Sequence, residues 1–195
     1  MAQTIEANGS SRATIRDTLQ PSRLHGELDL PRLSTLQRIL LTTDGTVTEV
    51  VEIYAGESMG VVKLAQDLVP IERAIEPLQI GLGRTVLSRK ILLQGKISGD
   101  NFLYAESLIV PDRLDPEVQD GLLKGNKPIG YLIMAHRMET YREILEFGIE
   151  KAGPVADYFD IGEDDGLIFR TYRIFAGQHP IMMITEKFPE SSFRA

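Results

Sequence analysis

Apolar and polar positions along the chain change period several times, and the changes mark the elements. From Ser34 to Leu41 the apolar residues Leu36, Ile39, Leu40 and Leu41 recur at helical spacing behind a serine that can cap the first turn. After a break at "TDG", Val47, Val50, Val51 and Tyr54 stand at i, i+3, i+4 and i+7, which predicts a second short helix over 46–54. Residues 58–70, "SMGVVKLAQDLVP", read as a first strand with imperfect alternation. Residues 84–94 and 102–110 read as two more, joined through "GKISGDN" as a hairpin. "DPEVQDGLLKGN" predicts a helix with Pro116 in its first turn and Gly125 at its end. Residues 127–136 fit a short helix or a turn, and 139–151 fit helix or strand, with strand favoured. The last two strands, 167–176 and 180–188, flank "GQH" as a tight turn. About six strands in hairpin order, with helices before and between them, predict an α+β domain: one antiparallel sheet covered on one side by helices.

Some charged residues fall inside these strands, and alternation of side chains between faces says which of them travel with the core. In "TVLSRKILL" the residues Thr85, Leu87, Arg89, Ile91 and Leu93 share a face, so Arg89 points inward while Lys90 points away. In "IMMITEKF" the same count groups Met182, Ile184, Glu186 and Phe188, so Glu186 is flanked by large apolar side chains. If the final hairpin keeps its simplest register, Arg173 falls opposite Met182 on that inward face as a third candidate. An inward Arg89 and Glu186 could form a structural ion pair. Buried pairs add little net stability after desolvation, however, so the pattern favours a pocket for a small molecule. A buried guanidinium suits two-pronged capture of a carboxylate, which makes a small organic acid the expected ligand.

Composition narrows the field. The chain has 195 residues, 43% hydrophobic and 25% charged, which predicts a single globular domain over residues 31–195 behind a polar, flexible tail at 1–30. A net charge of −7 offers no general basic field, so nucleic acid is not an expected partner. There is no cysteine, and the three histidines show no ligand spacing, so neither a metal nor a cofactor is expected. No segment reads as a secretory signal or a membrane span, which makes the cytoplasm the expected location. "GLG" before Arg84 precedes a strand instead of a helix, and "GEDDG" at 162–166 lacks the spacing of a calcium loop.

Four stretches in order, "GLGRTVLSRKILLQG", "LYAESLIVPDRL", "KPIG" and "RTYRIFAGQHPIMMITEKF", resemble the chorismate lyase (chorismate pyruvate-lyase) family. They are most similar to its mycobacterial, archaeal and cyanobacterial branch. The resemblance runs from about Leu33 to Phe193, and T-E-x-F with its upstream R-x-Y-R carries most of it. It implies a six-stranded antiparallel sheet with helices packed around it and an enclosed site needing neither metal nor cofactor. It further implies elimination of pyruvate from chorismate to give 4-hydroxybenzoate. By the same resemblance Arg89 would bind a carboxylate and Glu186 would hold the C4 hydroxyl and handle a proton. Val47, which stands where a better-studied branch has methionine, and Ile129 of "KPIG" would supply main-chain and apolar contacts. That branch also has a second arginine on the strand that here reads "AESLI", with Glu106 and Ser107, so the cation for the second carboxylate is open and Arg173 is the candidate. The alternative is a non-catalytic sensor of small carboxylates, since ligand-binding domains of some bacterial regulators look similar in fold. The chain is expected as a monomer or weak dimer.

Overall fold

The structure is a computed structural model that describes residues 32–125 and 127–194, so the expected tail at 1–30 lies outside the described residues. The elements run α1 (Thr35–Thr42), α2 (Val47–Ala55), β1 (Met59–Pro70), β2 (Thr85–Gly95), β3 (Asn101–Ile109), α3 (Pro116–Lys124), α4 (Ile129–Ala135), β4 (Thr140–Lys151), β5 (Gly166–Ala176) and β6 (His179–Pro189). Both ambiguous segments resolve: 127–136 holds the short helix α4, and 139–151 holds strand β4.

Local chemistry sets the element ends. Ser34 caps α1 by accepting from the Gln37 amide, and the Gln37 side chain accepts in return from the Ser34 amide. Gln37 is buried, and its amide group also donates to the carbonyls of Glu190 and Ser192, so one side chain ties the first helix to the chain end. Asp115 caps α3 ahead of Pro116, and Gly177 turns the β5–β6 hairpin with a φ of 59°.

The six strands form one antiparallel sheet in the order β1-β2-β3-β6-β5-β4. Two three-stranded meanders therefore meet along β3 and β6, and β6 lies inside the sheet. The main core sits between one sheet face and the helices. There Leu40, Leu41, Val47, Val51, Val118 and Leu132 pack against Ile91, Leu103, Ile109, Ile174 and Met182. The other face is more than a solvated surface. One end packs under residues 71–80, with Val86, Leu108 and Met183 buried, and the opposite end packs under the 3-10 turn Gly153–Tyr158.

Three bulges matter. Between Lys63 and Ala65 the register of β1 shifts, which accounts for its imperfect alternation. β4 carries another between Ile144 and Glu146. The third lies in the final hairpin, where Phe175 opposes Pro180 but Ile174 opposes Met182, leaving Ile181 as the extra residue. This corrects the register expected for Arg173. It opposes Met183, not Met182, and a one-residue slip carries its side chain to the opposite sheet face.

Candidate active site

The inward positions of β2, β3, β6 and β5 converge on a cavity between the sheet and the amino ends of α2 and α4. Ile91, Leu93, Leu103, Ala105, Ile174 and Ile184 form its apolar floor. Thr46 to Thr48 and Pro128 to Gly130 close it from above. The closure is tight, because a β-carbon added to Gly130 would lie 2.6 Å from the methyl of Thr46. Thr46 makes no side-chain cap bond, so the first amides of α2 are left without that partner at the cavity edge.

Arg89 and Glu186 both line this cavity, as do Val47 and Ile129. Arg89 is only 2% exposed. Its Nε has no hydrogen-bond partner, its Nη2 donates only a long 3.5 Å bond to the Lys127 carbonyl, and no described carboxylate pairs with it. Burial accordingly pushes its guanidinium well below the ordinary arginine range, down to about 10. A buried cation with no counter-ion is energetically unfavourable, and such a group persists where a ligand supplies the missing charge.

Glu186 is held differently. Its carboxylate accepts from Arg170 Nε at 2.7 Å and from the Tyr172 hydroxyl at 3.0 Å, both on β5. Arg170 is 1% exposed, also donates to the Thr43 carbonyl at 2.6 Å, and lies 4.8 Å from the centre of the Tyr172 ring. Burial opposes the Arg170 charge, yet the facing Glu186 more than compensates and raises its pKa. Burial and then Glu186 hold the Tyr172 hydroxyl firmly protonated as a donor. The structural ion pair of Glu186 is thus with Arg170, which leaves Arg89 unneutralised.

Arg173 is not part of this cavity. It pairs with Glu143 at 2.8 Å and donates to the Pro77 carbonyl on the far side of the sheet. Arg170 and Arg142 were not singled out by the sequence reading. Arg170 comes opposite Glu186 only through the Ile181 bulge, and Arg142 stands on the strand whose type was ambiguous. Of the "AESLI" pair, Ser107 lines the cavity while Glu106 faces away, accepting from the Tyr104 hydroxyl and pairing with Lys90. Among the described residues no cluster of three or more acidic or histidine side chains could hold a metal ion, and no helix is long and apolar enough to cross a membrane.

The partly enclosed cavity has an apolar floor, two lining arginines that no described carboxylate neutralises and one anchored carboxylate, a chemistry suited to a small organic anion. The chain belongs to the family described as chorismate pyruvate-lyase Rv2949c-like, which matches residues 41–194. It is 37% identical over 168 residues to a chorismate pyruvate-lyase of Mycobacterium leprae, an alignment covering 85% of this chain and 80% of that one. It is 34% identical over 171 residues to the chorismate pyruvate-lyase of Mycobacterium tuberculosis, covering 85% of each. In fold it is similar to the effector domain of PhnF from Mycobacterium smegmatis, with a TM-score of 0.62 at 14% identity over 78% of this chain and 93% of that domain. At that identity the likeness speaks to fold alone.

Proposed function

We propose that this protein is a cytoplasmic chorismate pyruvate-lyase that releases 4-hydroxybenzoate and pyruvate. The observation that carries the reading is the buried, unpaired guanidinium of Arg89, aimed into the cavity that also presents Glu186. Chorismate is a dianion with a ring carboxylate, an enolpyruvyl ether at C3 and a hydroxyl at C4. Arg89 binds the ring carboxylate through its planar fork of donors. Glu186, held from behind by Arg170 and Tyr172, accepts from the C4 hydroxyl and takes the proton that leaves C4. The electrons of that C–H bond become a ring double bond as the C3–O bond breaks. The departing enolpyruvate takes the proton back at its methylene carbon and becomes pyruvate. Aromatisation of the ring drives the reaction, so positioning and one proton-handling group suffice.

The test is to mix purified protein with chorismate and follow both products. Equal amounts of 4-hydroxybenzoate and pyruvate are expected. Tight binding without conversion would mark the chain as a sensor and overturn the lyase reading.

The closure over the cavity gives a second expected result. Gly130→Ala forces the amino ends of α2 and α4 apart and is expected to weaken 4-hydroxybenzoate binding by about tenfold, the scale of a modest overpacking strain. Adding Thr46→Ser removes the colliding methyl and is expected to restore binding, as titration calorimetry on both proteins would show. Equal weakening in the single and double variants would mean that this contact does not seal the site.

A further inference from the structure

Chorismate carries two carboxylates, and Arg89 accounts for one. Besides Arg89, the cavity has one other cationic side chain in its lining, Arg142 on β4. Arg142 donates to the Asp44 carbonyl at 2.8 Å, and no acidic side chain among the described residues pairs with it. The other arginines of this region are committed, Arg170 to Glu186 and Thr43, Arg173 to Glu143 and Pro77. Arg142 opposes Ile174, whose side chain also lines the cavity. Its charge reaches the Tyr172 hydroxyl, where it works against the upward push of burial and Glu186.

Glu186 stands on β6, with Arg89 two strands away on β2 and Arg142 two strands away in the other direction on β4. The two arginine backbones are separated by four strand steps, roughly 19 Å at about 4.8 Å per step, and both side chains line the same cavity. A compact monoanion reaches one of them. A molecule with acidic groups at two ends reaches both, and Glu186 then lies between its ends.

We infer that Arg142 binds the enolpyruvyl carboxylate of chorismate, the role sought in a second arginine on β3 and in Arg173. Arg142 thereby distinguishes the dianionic substrate from the monoanionic aromatic product. It also holds the carboxylate of the departing pyruvate unit while the C3–O bond breaks. This rests on the lyase reading above, and the experiment separates the two.

KM for chorismate and Kd for 4-hydroxybenzoate are measured for the wild type, Arg142→Gln and Arg142→Lys. Arg142→Gln is expected to raise KM about 10- to 100-fold, the loss of one charge-assisted contact, while Kd for the product stays within about threefold. Arg142→Lys is expected to recover part of the loss, since it keeps the charge without the fork. Retained product binding also reports that the variants are folded. A wild type that leaves chorismate untouched overturns the lyase reading and this inference with it. A wild type that converts chorismate beside an Arg142→Gln protein of unchanged KM overturns the inference alone. So does a parallel loss of substrate and product affinity, which would make Arg142 a brace for the Asp44 loop.

Discussion

Arg89→Met is expected to make the protein more stable and nearly inactive. The free protein keeps a guanidinium in the cavity wall without a counter-ion, and its displacement down to about 10 corresponds to about 3 kcal/mol of unmet desolvation. Methionine fills similar space beside Ile91 and Leu87 with no charge to bury. The unfolding free energy from urea titration should therefore rise by up to about 3 kcal/mol, seen as a higher midpoint with an unchanged slope. Over the same change kcat/KM should fall by roughly 10²- to 10³-fold, because the ring carboxylate loses its partner. The sign with pH is fixed by the direction of the shift. Between pH 6 and 9 the guanidinium is charged in both folded and unfolded chains, so the stability gap stays flat. Above about pH 10 the unfolded chain holds the proton more firmly, the wild type gains stability, and the gap closes. A variant that is less stable than the wild type at pH 7 would show that Arg89 supports the fold instead of waiting for a ligand.

Glu186→Gln should lower kcat by about 10²- to 10⁴-fold, the usual contribution of a positioned proton-transfer group. This variant also strips Arg170 of its only countercharge among the described residues, which should destabilise the fold by about 3–5 kcal/mol. Loss of activity alone would thus be ambiguous. The double variant Arg170→Met, Glu186→Gln removes the stranded charge and should recover most of the stability with no recovery of turnover. Activity within a fewfold of wild type in either folded variant would remove Glu186 from the chemistry.

The inward aim of Arg89 and Glu186 was readable because no register shift falls between either residue and the apolar neighbours counted with it. The cap at Ser34, the helix opening at Asp115 and Pro116, and the turn at Gly177 were readable for a similar reason, since each rests on neighbours in sequence. Arg170 and Arg142 were hidden by non-local features. A bulge leaves nothing in composition to announce it, yet the one at Ile181 decides whether Arg170 or Arg173 shares the sheet face of Glu186. Arg142 sits in an edge strand of mixed polarity whose pattern fits helix as well as sheet, and only its pairing with β5 fixes its face. The burial on the second sheet face escaped because loops supply it from residues 71–80 and 153–158, far along the chain from the strands they cover.

The meeting of the two meanders along β3 and β6 has a consequence for how the molecule becomes competent. Arg89 and Ser107 belong to the first half of the sheet, whereas Glu186, Arg170, Tyr172 and Arg142 belong to the second. Neither half owns a working set of charges. Zipping that central joint is therefore what brings the charges of the cavity together, and a chain arrested with a single meander formed would have one end of a grip and nothing to close it against.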